Sequence, residues 1–271
     1  EIRLSLVGSE MCIRDRLNLP VYALLGGRAR ADIPVCCVLT LRDDPARTVE
    51  EALRFKQRGF TTYTVKVGKN VRQDVHNVAA VREALGDDAS LYVDANGSLN
   101  FDDALRLLHE LAPYRIDGAE QPLAHWDLDG AAALAARSPV ALLLDESIGS
   151  THDLFGATQR RAATGVQTKT AKNGGAWHIR QLWTLASAAG WRIRPGNHPS
   201  TSLATLSVAH LATAWGGPLL EGPFAGGIDG ELAGDVVTQP VRLQGNRLAL
   251  DDRPGWGVEL DPDALERWRI A

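Results

Sequence analysis

SLYVDAN (residues 90–96), IDGAEQP (116–122) and VALLLDES (140–147) are three β-rich runs, each ending in an acidic residue: Asp94, Glu120 and Asp145. The carboxylates stand 26 and 25 residues apart. That interval accommodates one strand, one helix and two loops, so each acid is predicted at the C-terminal end of a successive parallel strand. Working outward, further strands are predicted at 33–41 (IPVCCVLTL), 62–68 (TYTVKVG), 166–171 (VQTKTA), 191–196 (WRIRPG) and 218–222 (PLLEG). Between them, apolar residues recur at three- and four-residue spacing over Thr48–Arg58, Val71–Leu85, Asp102–Leu111, Leu128–Ala136, Trp177–Ala189 and Leu203–Trp215. Thr48 with Glu51 fits a capping box, and Gly59, Gly86 and Gly190 fit left-handed helix exits. Eight strand–helix alternations without a GxGxxG turn after the first strand predict an α/β fold closed as a TIM-like barrel, not an open doubly wound sheet.

The bulk composition narrows the function. The chain has 271 residues and a formal net charge of −4 with mixed signs. It has no basic field for nucleic acid and no apolar run long enough for a bilayer-spanning helix, so neither nucleic acid nor membrane is an expected partner. Cys36 and Cys37 are strand neighbours that point to opposite faces and make poor disulfide partners. A reducing compartment, the cytoplasm, is the expected location.

The ends depart from the barrel repeat. Leu6–Arg16, LVGSEMCIRDR, resembles a translated sequencing adapter over eleven consecutive residues and contains the chain's one Met, so residues 1–16 are read as an artefact. Residues 17–31 read as a short helix and turn left from a preceding domain, 32–230 as the barrel, and 231–271 as a segment packed beside it.

In an α/β barrel the active site is built at the C-terminal strand ends. There the sequence places Lys66 on strand two, the three acids on strands three to five, Lys169 on strand six and Glu221 on strand eight. Three hard oxygen ligands suit Mg²⁺, with Mn²⁺ as a substitute. A substrate carboxylate bound to that cation would have one lysine on each face of its α-carbon. This arrangement suits proton abstraction, because the aci-carboxylate dianion that forms needs a cation against it. Each lysine would need its pKa lowered from about 10.4 by burial and neighbouring charge.

TVKVG, VDAN, EQP, DES and KTAKNGG together resemble, over about residues 17–261, the barrel domain of the enolase superfamily in its muconate lactonizing enzyme subgroup. The resemblance implies a (β/α)7β barrel that lacks most of an N-terminal α+β capping domain, a homo-oligomeric parent, and a fragment of low activity because its site stays open. It implies Asp94, Glu120 and Asp145 as Mg²⁺ ligands and Lys66 with Lys169 as the acid/base pair. Asn96, Glu221, Lys172 and Glu146, the neighbour of Asp145, take supporting positions. His198, in GNHPSTS after strand seven, is a candidate substrate contact, and Lys169 argues against the mandelate racemase branch. Thr64 stands where the family's K-x-K motif carries its first lysine, which puts the exact reaction in question.

The predicted chemistry is therefore abstraction of the α-proton of a small carboxylate, leading to racemisation or epimerisation, cycloisomerisation, or dehydration. Two other readings are a Schiff-base lyase of the aldolase type using Lys169, and a non-catalytic barrel.

Overall fold

The computed structural model describes residues 17–40, 42–223 and 232–269. The adapter-like stretch and Leu41 lie outside them, as do residues 224–231, which include the predicted barrel boundary. The eight predicted strands are all present: β1 (Asp32–Leu39), β2 (Thr62–Lys66), β3 (Ser90–Asp94), β4 (Gly118–Glu120), β5 (Leu142–Leu144), β6 (Gly165–Lys169), β7 (Arg192–Gly196) and β8 (Gly222–Pro223). They pair in parallel in the order β7-β6-β5-β4-β3-β2-β1-β8. Leu220 N–H donates to Ile193 O at 2.8 Å, so the chain entering β8 meets β7 and the sheet closes on itself. The described part of β8 starts at Gly222, where the predicted strand at 218–222 ends. Gly222 is required there, because a Cβ would overlap the Pro195 carbonyl.

Helices return the chain between strands: α1 (Val21–Leu24) precedes β1, and α2 (Pro45–Gln57), α3 (Val71–Leu85), α4 (Phe101–Leu111), α5 (Leu128–Ala135), α6 (Thr151–Arg160), α7 (Ala176–Ala188) and α8 (Ser202–Ala214) follow successive strands. Their apolar stripes meet the outward faces of the strands. Val78, Val81, Leu107, Leu108, Leu154, Ile179, Leu182 and Trp183 join Val65, Leu91, Val93, Leu142 and Val166 in one continuous buried core.

Two local expectations need correction. The helix after β1 starts at Pro45, capped by the Asp44 carboxylate on Ala46 N–H, so Thr48 is a buried residue within the helix and no capping box forms with Glu51. Proline at the first helical position fixes the entry before Thr48 is reached. The helix Thr151–Arg160, absent from the periodicity reading, is set by a capping box between Ser150 and Asp153. The glycine exits hold: Gly59, Gly86 and Gly190 have φ of 90°, 81° and 71°.

Beyond the barrel, β9 (Arg247–Ala249) adds antiparallel to the start of β1, and α9 (Pro262–Arg267) closes the described C-terminal segment. The Cys36 side chain faces Thr64 and Arg194, whereas Cys37 joins the apolar core, and both are free thiols.

Candidate active site

The strand register brings the predicted residues to one mouth. Lys66 pairs in register with Asp94, and Asp94 with Glu120, which aligns three side chains across β2, β3 and β4. Asp145 follows β5 directly and Lys169 ends β6. Asp94, Glu120 and Asp145 are all buried. They lie close enough that, after burial itself, Asp94 and then Asp145 push the Glu120 carboxyl well above its usual range, with Arg194 and Lys169 opposing the rise.

Each carboxylate is engaged by a cationic side chain. Lys66 Nζ donates to Asp94 Oδ2 at 2.5 Å and to Asn96 Oδ1 at 2.6 Å. Asn96, held at a positive φ of 46°, passes the contact on through Nδ2 to Glu146 Oε1 at 3.0 Å. Lys169 Nζ donates to Asp145 Oδ2, and Lys172 Nζ donates to Asp145 Oδ1 at 2.7 Å and to Gln167 O at 3.0 Å. Arg194 Nη1 donates to Glu120 Oε2 at 2.9 Å. With the oxygens so engaged, no three acidic, histidine or cysteine side chains among the described residues converge as a ready metal cluster.

Successive side chains alternate at Asp145–Glu146: Asp145 is fully buried, while Glu146 is exposed. Burial alone would raise Asp145, but Lys172 and Lys169 outweigh it and hold the carboxyl below its ordinary range. Burial lowers Lys172. For Lys169 burial also acts downward, yet Asp145 and Glu120 prevail and the ammonium is held above its usual value. The lowered base pKa expected from sequence is therefore not present in this arrangement, because Lys169 is paired with a carboxylate.

His198 is exposed at the rim; burial, and then the charge of Lys169, lowers its pKa. Thr64 does not face the mouth opening: its Oγ1 accepts from Arg194 Nη2 at 2.7 Å, below Glu120. Glu221 lies just before β8 and not at its far end. Its carbonyl accepts from Arg194 Nε at 3.0 Å, and among the described residues its Oε2 is buried without a partner.

Three residues matter that the sequence reading did not assign. Gln121 Oε1 accepts the N–H groups of Asp145 and Ser147 at 2.9 and 3.1 Å and fixes the turn that aims Asp145. Asn173 Oδ1 accepts Lys169 N–H at 2.9 Å while its Nδ2 donates to Ile148 O at 2.8 Å, tying the β6 end to the β5 loop. Both stand inside quoted motifs, EQP and KTAKNGG, which was the available signal. Arg194 carried none, since a basic residue in a strand reads as surface-facing unless its partner is known.

Comparison with known proteins agrees with this fold. The Enolase C-terminal domain-like family matches residues 47–264. The chain belongs to the enolase superfamily, in its muconate lactonizing enzyme group. It is 33% identical over 260 residues to the N-succinyl-L-Arg/Lys racemase of Bacillus cereus, covering 94% of this chain and 68% of the relative. Against muconate cycloisomerase 1 of Pseudomonas putida the identity is 34%, with 93% and 67% covered. The crystal structure of muconate cycloisomerase from Pseudomonas fluorescens superposes with a TM-score of 0.90 at 32% identity, covering 95% of this chain and 71% of that one. This enolase-superfamily chain thus spans about two thirds of the length of those curated relatives. It is an enzyme of a group whose named members are racemases, epimerases and cycloisomerases. No helix among the described residues is long and apolar enough to cross a membrane.

Proposed function

We propose that the barrel mouth abstracts the α-proton of a small carboxylate substrate with the help of a divalent cation, Mg²⁺ or Mn²⁺. The observation that carries this reading is the arrangement of Asp94, Glu120 and Asp145 on adjacent strand ends with Lys66 and Lys169 on the strands to either side. The donor set fits the cation: the three carboxylates are buried, Asp94 and Asp145 add to burial in raising the Glu120 carboxyl, and hard oxygens select Mg²⁺ or Mn²⁺. Asp94, Glu120 and Asp145 would hold it. When bound, the cation supplies Lewis-acid stabilisation of charge that develops on a substrate carboxylate.

The protein's own groups do the remaining work. Lys66 and Lys169 are the proton-transfer groups. Lys172 and Gln121 hold Asp145, and Asn96 orients Lys66. Glu146, bonded to Asn96, and His198, near Lys169, would meet the part of the substrate away from the reacting carbon. The compounds named for the relatives, muconate, N-succinyl-Arg/Lys and dipeptides, all carry a carboxylate, which supports the substrate class. Racemisation or epimerisation needs both lysines, whereas cycloisomerisation and dehydration can proceed with one.

The test is deuterium uptake at the α-carbon in D₂O, read by NMR across N-acyl amino acids, dipeptides, muconates and hydroxyprolines. Uptake that needs Mg²⁺ and is lost in Lys169→Met for at least one substrate enantiomer supports the reading. Uptake that survives chelation, or borohydride trapping of Lys169 on a carbonyl substrate, contradicts it.

A further inference from the structure

Below the carboxylates the barrel interior holds a fully buried arginine. The Arg194 side chain has no solvent exposure and that of Glu120 only 2%. Its contacts engage every nitrogen of the guanidinium: Nη1 to Glu120 Oε2, Nη2 to Thr64 Oγ1 at 2.7 Å and to Cys36 Sγ at 3.1 Å, and Nε to Glu221 O at 3.0 Å. The Tyr92 ring lies under it, 4.3 Å from centroid to guanidinium carbon. Gly118 leaves space for that ring, since a Cβ there would sit 3.0 Å from Tyr92 Cε1 and 2.5 Å from Leu143 Cδ1.

A buried guanidinium survives only when its donors are satisfied and its charge is paired. Glu120 supplies the charge and Thr64 supplies an acceptor small enough to leave the guanidinium in place. A cationic side chain at position 64 would enter the same dry space as Arg194, and two like charges there have no water to separate them. Thr64 Oγ1 and Glu120 Oε2 bind adjacent nitrogens of one guanidinium, so a long side chain rising from position 64 could also reach Glu120. The interior has room for one cation under Glu120, from β7 or from β2.

We propose that Arg194 is a positioning residue that anchors Glu120 through one oxygen and leaves the other free for the mouth, and that Thr64 is its obligate neutral partner. Positions 64 and 194 are a charge-exclusive pair, which explains why TVK departs from the K-x-K pattern in this chain. The inference rests on the reading of Glu120 as a ligand of the divalent cation.

The experiment compares Thr64→Lys, Arg194→Met and the double variant T64K/R194M, with Arg194→Lys as the conservative change. Two quantities are read: thermal unfolding of the metal-free protein, and Mn²⁺ affinity by electron paramagnetic resonance. Each single variant is expected to lower the unfolding temperature and to shift the Mn²⁺ Kd by about tenfold or more, and the double is expected to return toward wild type in both, as coupled neighbours do. Arg194→Lys, which keeps the charge without the fork, should fall between wild type and Arg194→Met. A double variant no better than Arg194→Met, in folding or in Mn²⁺ affinity, overturns the proposal, as does a Thr64→Lys protein as stable as wild type. Glu120→Gln serves as the control: unchanged Mn²⁺ affinity there would sink the ligand reading, while the unfolding data still decide whether 64 and 194 exclude each other's charge.

Discussion

Lys66 and Lys169 flank the same three carboxylates but are held in different ways. The Lys66 side chain is 29% exposed and bonds to Asp94 and to the exposed Asn96–Glu146 chain. Lys169 is 9% exposed, shares Asp145 with Lys172, and has its backbone fixed by Asn173. The β2 side is therefore open and solvated, whereas the β6 side is dry and tied together. The site is therefore built into the scaffold on the β6 side, because a buried pair is costly to break and an exposed one is screened.

Loss of activity is the largest expected effect. Lys169→Met and Lys66→Met should each lower deuterium uptake by roughly 10²–10⁴-fold, the usual contribution of a proton-transfer group. In a racemase the two losses should fall on opposite enantiomers, which chiral NMR would read.

The two sides should also differ in stability. Asp145→Asn leaves Lys169 and Lys172 buried without their carboxylate and should cost about 3–5 kcal/mol in urea unfolding. Asp94→Asn, beside the more solvated Lys66, should cost clearly less. Equal losses would erase the distinction between the two sides.

A pH series separates the scaffold from the mouth. His210 on α8 is buried against Tyr22 and Trp256, and burial pushes its pKa down from 6.5 to about 4. The folded protein then takes up this proton less readily than the unfolded chain. Stability from this group is level above pH 6.5, declines as pH falls from 6.5 toward 4, and loses about 3 kcal/mol across that window. His210→Gln should flatten that decline without altering Mn²⁺ binding at neutral pH.

The smallest effect concerns aim. Gln121→Ala removes the acceptor for two backbone N–H groups around Asp145 and should cost about 1–3 kcal/mol. It should weaken Mn²⁺ binding more than Asn96→Ala does, because Gln121 supports the buried side.

The same contrast explains what was legible in the sequence. Strand ends bearing Asp94, Glu120, Asp145 and Lys169 could be read because alternation and spacing fix which face and which end each residue takes. The helix Val71–Leu85 is legible to both ends, since Asn70 and Gly86 bracket a regular apolar stripe. Thr151–Arg160 escaped because its few buried residues, Leu154 and Ala157, make too thin a stripe, and only the Ser150–Asp153 cap marks it. The Thr48 cap was misplaced because Asp44–Pro45 offered an earlier entry of the same chemistry. Arg194 could not be read at all: its meaning depends on Glu120, Thr64 and Cys36, which come from three other strands and meet it only when the barrel closes.

The most direct measurement is Mn²⁺ titration of the wild-type chain and of the Asp94→Asn, Glu120→Gln and Asp145→Asn variants, followed by electron paramagnetic resonance. One bound Mn²⁺ per chain is expected, competed by Mg²⁺, with affinity lost in each of the three variants. A wild-type chain that binds no Mn²⁺, or variants that bind it as well as wild type, would contradict this expectation.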